Sequence, residues 1–324
     1  MKIIAVLLNP TIDQIYEIDN FYVGGTFKVN RSIIYPVGKG ISFSLGIREL
    51  TDDSDILKVL ACIGKEDIPL YAKFLSTRNI DFQFIEIKGK TRSNKTINDP
   101  TKGTTTHVRE KGFDLETKDI EILKDIIDIN IEEGDIIVFS GSIPPNVKED
   151  IYFDFINQSK SKKVITILDT SSSALIKGVK ANPTIIKPNL VELSQILNKP
   201  ELNEINFTNL KISCINLIQE AKPLLNNNLK IILITLGEHG AICLTKSEAY
   251  YGNVKVDSPI DTVGSGDAFL AGFIYNYSKG NEIFDCLKYA IASGAANTLI
   301  PGPGIFKNED MQKLLKNVEI ENLN

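Results

Sequence analysis

The feature that most constrains this chain is the alternation of short, β-branched apolar runs with longer amphipathic stretches. Ile3–Leu8, Ile56–Ile63, Asp135–Ser140, Val164–Leu168, Thr184–Ile186 and Lys230–Thr235 read as buried strands, because a strand covered on both faces needs few polar residues. Ile41–Leu50, Ile68–Arg78, Glu116–Asn130, Lys148–Lys160, Leu190–Leu197, Leu210–Asn226, Asp267–Lys279 and Glu282–Leu299 read as helices between and after them. Strand and helix alternating at this spacing predict right-handed βαβ units. The result is an α/β fold whose mostly parallel central sheet carries helices on both faces.

Two regions, about residues 14–36 and 82–109, break the rhythm. Ile15-Tyr16-Glu17-Ile18 and Thr104-Thr105-Thr106-His107-Val108-Arg109 alternate apolar or β-branched with polar residues. That is the period of half-exposed antiparallel strands. They predict a small sheet projecting from the core, as a lid or a dimerisation surface. No internal repeat or low-complexity linker intervenes, so residues 1–324 read as one domain with the lid strands inserted.

Composition narrows the chemistry. With 43% hydrophobic and 24% charged residues, the 324-residue chain can build a large core. A net charge of −5 argues against a general nucleic-acid binder, while a few local cations can still hold an anionic substrate. Cys62, Cys214, Cys243 and Cys286 are too dispersed for a zinc site or a disulfide framework. They read as reduced thiols of a cytoplasmic protein. The amino-terminal apolar run stops at Asn9-Pro10 with no small-residue cleavage site, so it reads as a strand and not a signal peptide. No stretch is long enough to span a membrane. The two histidines, His107 and His239, stand in no metal or hydrolase motif. The chemistry therefore falls to carboxylates, Lys, Arg and backbone N–H groups.

Asp261-Thr262-Val263-Gly264-Ser265-Gly266-Asp267 precedes an apolar helical stretch. Glycines around Ser265 let the backbone present successive N–H groups where the helix dipole favours negative charge. Asp267, at the helix start, can take a proton from a substrate hydroxyl while Gly264, Ser265 and Gly266 hold a phosphoryl group. It can equally be an Asp cap. Lys187-Pro188-Asn189-Leu190-Val191-Glu192 follows a strand; Asn189 and Glu192 are either a capping box or ligands of phosphate and Mg²⁺. Thr235-Leu236-Gly237-Glu238-His239-Gly240 is either a nucleotide-binding turn or a hairpin into Ala241–Leu244. Gly38-Lys39-Gly40 opens a helix with a cation alongside, and Asp13 can accept bonds from sugar hydroxyls or cap a turn. Thr91-Arg92-Ser93-Asn94 brings an arginine suited to a phosphate, and Ser140-Gly141-Ser142-Ile143-Pro144-Pro145 ends another core strand.

Six segments, Asn9-Pro10-Thr11-Ile12-Asp13, Gly38-Lys39-Gly40, Thr91-Arg92-Ser93-Asn94, Ser140-Gly141-Ser142-Ile143-Pro144-Pro145, Lys187-Pro188-Asn189 and the run from Asp261 to Ile274, together resemble in order and spacing the ribokinase-like carbohydrate kinases, in particular the phosphofructokinase B branch, across nearly the whole chain. The resemblance implies a three-layer α/β/α core with a small β lid that often mediates dimerisation. It implies ATP and Mg²⁺, with Asp267 as the base and Glu192 at the metal. Asp13, Gly38, Lys39, Ser42 and Ser140 would hold the sugar. Lys187, Asn189, Thr235, Gly237, Gly240 and Asn297 would lie by the nucleotide. Arg92, assisted by Lys28, is similar to the arginine that binds the phosphate already on the sugar in 1-phosphofructokinases and tagatose-6-phosphate kinases. Val37 stands where the family usually has glycine, Ser42 replaces an asparagine, and Asn146 replaces a glycine, which suits a left-handed turn.

The expected reaction is phosphorylation of a ketohexose monophosphate, first of all fructose 1-phosphate to fructose 1,6-bisphosphate, with Lys39 and Arg92 on the distal phosphate. Tagatose 6-phosphate, fructose 6-phosphate and an unphosphorylated sugar are the alternatives. A non-catalytic sugar-phosphate sensor is the rival from another class. A dehydrogenase is disfavoured because no G-x-G-x-x-G follows the first strand.

Overall fold

The computed structural model describes residues 1–205 and 209–324. The first part runs β1 (Ile3–Leu7), β2 (Thr11–Glu17), β3 (Arg31–Val37), α1 (Lys39–Leu50), β4 (Leu57–Gly64), α2 (Ile68–Ser76), β5 (Asp81–Ile87), β6 (Ser93–Asp99), β7 (Thr104–Val108) and α3 (Thr117–Asn130). Then come β8 (Ile136–Ser140), α4 (Ile151–Lys160), β9 (Ile165–Asp169), α5 (Ser172–Val179), β10 (Ile185–Ile186), α6 (Leu190–Leu197), α7 (Leu210–Ala221) and β11 (Ile231–Thr235). The chain closes with β12 (Ala241–Leu244), β13 (Ala249–Asn253), α8 (Ser265–Ser278), α9 (Ile283–Asn297), α10 (Asn308–Leu315) and β14 (Glu319–Asn322).

Ten strands form one sheet in the order β14-β13-β12-β11-β10-β9-β8-β1-β4-β5. From β11 to β5 every pairing is parallel. The short links β11–β12 and β12–β13 leave no room for a crossover, so β12 and β13 add on antiparallel, and β14, which returns after α8–α10, pairs antiparallel with β13 at the edge. β1 shows why the central runs are uniformly apolar: Ile3, Ala5 and Leu7 face one core, Ile4 and Val6 the other. The first core lies under α1, α2, α8 and α9, the second under α3, α4, α6 and α7. This is the three-layer α/β/α arrangement. No described helix is long and apolar enough to cross a membrane.

A second sheet, β3-β2-β6-β7, forms the lid. Its extent differs from expectation, because residues 81–87 belong to the main sheet as β5, parallel to β4. The alternation there has a different cause. As an edge strand, β5 sends Phe82 and Phe84 to one core and Ile85 and Ile87 to the other, while Asp81 and Glu86 stay exposed. The short elements α5, α10, β13 and β14 carried too little periodicity to be expected.

Candidate active site

The loops at the carboxyl ends of the parallel strands converge with the start of α8. At their centre lies Asp169, the last residue of β9, which no sequence motif singled out. Its side chain is 1% exposed and its Oδ1 meets Lys39 Nζ at 2.8 Å and Lys187 Nζ at 3.2 Å. Burial alone would raise the Asp169 carboxyl, but Lys187 and Lys39 hold it below its ordinary value. Burial would likewise depress Lys39, yet Asp169, with Asp267 and Glu192 beyond, keeps its ammonium above the usual range. Lys187 reaches the helix start directly: a Cβ on Gly266 would sit 3.4 Å from its Nζ.

Asp267 is the third residue of α8 and 8% exposed. Its carboxylate accepts no hydrogen bond among the described residues, so it is no cap. Burial, with Asp169 and Asp13 adding to it, outweighs the pull of Lys39 and Lys187, so its pKa is raised to about 7. Gly264 is the N-cap, at φ 83°, and a Cβ there would overlap the backbone of Pro303 and Gly304. Only glycine satisfies both demands. Behind it, Ser265 N–H reaches Thr262 O at 3.3 Å and Asp267 N–H donates to Gly264 O at 3.0 Å. The Gly266 N–H has no acceptor among the described residues, which leaves it a donor for an anion.

The Pro301-Gly302-Pro303-Gly304 loop, passed over in the sequence, closes this corner. Asn297 fastens it: its Nδ2 donates to Gly302 O at 2.9 Å and Ile305 O at 2.7 Å, and its Oδ1 accepts from Ser265 Oγ at 3.2 Å. Asn297 is fully buried, and its amide is spent on the loop and not turned toward a nucleotide. Ser42 lies beneath the same loop, 2% exposed, where Gly304 packs on its carbonyl.

The loops after β10 and β11 run side by side, joined by an Asn189–Thr235 bridge and by Thr235 N–H donating to Pro188 O at 3.0 Å. Asn189 and Glu192 form the capping box, with Glu192 N–H to Asn189 Oδ1 at 2.8 Å and Asn189 N–H to Glu192 Oε2 at 2.9 Å. Both sequence readings of Glu192 survive, because its Oε1 has no partner among the described residues and its charge is felt at Lys39. No three His, Cys, Asp or Glu side chains converge into a metal cage among the described residues. One unpartnered carboxylate oxygen fits Mg²⁺, which takes few protein ligands and completes its shell with phosphates and water. Thr235–Gly240 is a hairpin between β11 and β12, with Gly237 and Gly240 at positive φ. His239 sits in that turn, its carbonyl accepting from Tyr251 Oη at 2.8 Å.

On the lid side, Asp13 Oδ1 accepts from Thr11 Oγ1 and from Asn94 Nδ2, both at 3.0 Å. Burial raises the Asp13 carboxyl; those two bonds and the charges of Arg92 and Arg109 draw it part of the way back. Asn94 Oδ1 and Ser140 Oγ are buried without partners, two polar atoms suited to sugar hydroxyls. Gly38, at φ 131°, caps α1 and turns Lys39 toward Asp169. Lys39 thus joins the Asp267 end of the site, not the distal end expected of it. Arg92 donates Nε to Pro10 O at 3.1 Å, Nη1 to Glu110 O at 3.3 Å and Nη2 to Asn9 O at 3.0 Å. Lys28 is not brought to it: it lies past the far end of the β2–β3 pairing, beyond Glu17 and Arg31. Asn146 has no positive φ, contrary to the turn role expected of it. It is there for its amide, which bonds Leu115 N–H at 3.0 Å and Leu115 O at 2.8 Å.

Comparison with known proteins agrees with this geometry. The model of the pfkB family carbohydrate kinases matches residues 8–310. A 1-phosphofructokinase of Bacillus subtilis is 28% identical over 99% of this chain and 100% of its own. A tagatose-6-phosphate kinase of Staphylococcus epidermidis is 29% identical over 98% of this chain and 99% of its own. The fold of phosphofructokinase-2 from Escherichia coli superposes with a TM-score of 0.86 at 22% identity, covering 98% of this chain and 99% of that one. The ribokinase-like fold, the family-wide match and the free carboxylate at a glycine-built helix start lead to one conclusion: this chain is a sugar kinase of the pfkB carbohydrate kinase family.

Proposed function

We propose that the chain transfers the γ-phosphate of ATP to a free hydroxyl of a ketohexose monophosphate, first of all fructose 1-phosphate, giving fructose 1,6-bisphosphate. The observation that carries this reading is Asp267, a nearly buried carboxylate with no internal partner, facing two lysines held by Asp169. Asp267 takes the hydroxyl proton; the hydroxyl oxygen bonds to the γ-phosphorus, and the bond to the bridging oxygen breaks with its electron pair leaving on ADP. The Gly266 amide, Lys187 and Lys39 face the charge that develops on the transferring group. Gly264 and Ser265 set the geometry of that helix start.

Lys187, Asn189, Thr235, Gly237 and Gly240 border the strip where ATP would lie, on the paired loops after β10 and β11. Bound Mg²⁺ would neutralise phosphate charge, held from the protein side by Glu192. The sugar would extend from Asp267 across Asp13, Asn94 and Ser140, with its own phosphate toward Arg92. Two relatives named for phosphosugar kinases, at nearly equal identity, support the phosphosugar class without ranking its members. The buried thiols fit the cytoplasm. Exposed Tyr22, Val23, Ile34 and Val108 on the lid favour a lid-to-lid homodimer, checked by light scattering.

The test is a coupled ADP-release and product assay with fructose 1-phosphate, tagatose 6-phosphate, fructose 6-phosphate and fructose. A phosphosugar should be turned over with the highest kcat/KM. Fructose outpacing all three would reject the phosphosugar reading, and binding without turnover of any would favour the sensor.

A further inference from the structure

Between the lid and the stretch that carries Asp267, one side chain makes the link. Tyr35 on β3 is the direct cross-strand partner of Asp13 on β2. Both side chains therefore leave the lid on the same face, their Cβ atoms about 5 Å apart. Tyr35 Oη donates to Pro301 O at 3.3 Å. Among the described residues this is the one hydrogen bond between a lid strand and the stretch from α8 to α10. The phenol also rests on Gly302, where a Cβ would stand 3.0 Å from Tyr35 Oη and 3.1 Å from its Cζ, at φ 127°. A side chain at 302 would be strained and would push the phenol off the loop. Tyr35 is half-buried against the core beneath α1 and α8, and the charge of Asp261 is felt at its hydroxyl.

What Tyr35 grips is already fixed to the reacting end of the site. Asn297 donates to Gly302 O and Ile305 O and accepts from Ser265 Oγ. Pro303 and Gly304 press on Gly264, and Gly304 packs on the Ser42 carbonyl of α1. The Pro301–Gly304 loop is thus bound to α1, α8 and α9 on one side and to the lid on the other. From Asp13 through Tyr35, Gly302 and Asn297 to Ser265, each residue is in register, in contact or in hydrogen-bond reach of the next. The run ends beside Gly266, whose N–H is the free donor of the helix start.

We propose that Tyr35 is a positioning residue of this kinase: it holds the sugar-gripping face of the lid in register with the start of α8, so that the phosphoryl group passes to the sugar and not to water. The role rests on the transfer reaction proposed above and adds a residue that acts through Asp13 and the Pro301–Gly304 loop. A hydroxyl held at Asp13 and a γ-phosphate held at Gly266 react only when the two grips are aligned, and an error of about 1 Å costs on the order of a hundredfold. With the phenol in place, lid and loop move as one piece and water is kept from the gap. Without it, sugar and ATP still bind, but the hydroxyl is misaligned and water competes. The water oxygen then bonds to the γ-phosphorus, its proton passes to Asp267, and the bridging bond breaks onto ADP, leaving free phosphate.

The experiment compares the wild type, Tyr35→Phe and Tyr35→Ala. It measures kcat, KM for ATP and for the best phosphosugar, the ratio of ADP released to sugar phosphorylated, and the thermal midpoint. Tyr35→Ala should lower kcat roughly tenfold to a hundredfold with both KM values within about threefold, and ADP should outrun the sugar product. Tyr35→Phe keeps the ring on Gly302 and loses only the bond to Pro301, so kcat should fall about twofold to tenfold at an unchanged midpoint. A merely structural tyrosine would move the midpoint and leave the ratio at unity. Turnover of Tyr35→Ala within about twofold of wild type, or ADP and product still released in equal amounts, overturns the role and leaves the transfer reaction intact. Both KM values rising together with a fallen midpoint overturns it too, by showing damage to the lid as a whole. A wild type that binds phosphosugars and phosphorylates none defeats the transfer reading itself, and this role with it.

Discussion

The two ends of the site are built on opposite principles. Around Asp169 the charges are paired and mostly buried: Lys187, 6% exposed, and the half-buried Lys39 converge on one carboxylate 1% exposed to solvent, and Asp267 faces them from the start of α8. At the lid Arg109 and Glu110 are exposed and Asp13 and Arg92 only half-buried, and what is fixed is the backbone, through Arg92, Glu110 and Asn9. The difference follows from what each end does. Charge moving in a reaction needs a low-dielectric setting with groups already in place. Choosing among substrates needs a side chain still free to bind, on a main chain that costs little to hold.

Breaking the inner end should cost most. Asp267→Asn should lower turnover by about 10²–10⁴-fold, the range for loss of a general base, while isothermal titration still records ATP binding; near-normal turnover would remove Asp267 from that role. The same group sets the pH profile. Wild-type kcat should fall roughly tenfold per unit of pH below about 7, where Asp267 becomes protonated. Stability runs the other way. Between the ordinary carboxyl value of 3.8 and about 7 the folded chain holds a proton that the unfolded chain has lost, so the Asp267 contribution is full at low pH and fades as pH rises. Urea titrations of Asp267→Asn across that window should lack this slope.

Asp169→Asn comes next. It strands two lysines against a neutral amide, and loss of one partner from a buried ion pair costs about 3–5 kcal/mol. Urea unfolding should show that loss, together with depressed kcat; unchanged stability would mean that the lysines find other partners. Asn146→Gly, which restores the residue expected by resemblance, should destabilise by about 1–2 kcal/mol, because it removes both bonds to Leu115. A gain in stability would return Asn146 to a turn role. Least is expected at the lid surface. Glu110→Gln breaks a pair with Lys95 whose side chains are 52% and 33% exposed, and thermal denaturation should register no more than about 1 kcal/mol. A larger loss there would blur the contrast between the two ends.

Much of this was legible in the chain. The apolar runs of β1, β4, β8, β9, β10 and β11 named the core strands, because a doubly covered strand has no polar face to offer. The glycines before Asp267 marked the helix start, because φ 83° at Gly264 excludes other residues. Residues 81–87 misled, since an edge strand of the main sheet and a lid strand are both half-exposed and carry the same alternation. Asp169 was silent for another reason: a lone Asp at a strand end looks the same whether or not two lysines from distant segments meet it.

The sequence by itself determined the fold class, the anion-binding helix start and the family, all of which rest on local periodicity or on residues close together in the chain. Only the tertiary structure decided what the charges do. It tied Lys39 to Asp169, 130 positions away, sent three Arg92 donors into carbonyls and brought Tyr35 to Pro301. Pairing, burial and register depend on which distant segments meet, and no local pattern encodes that.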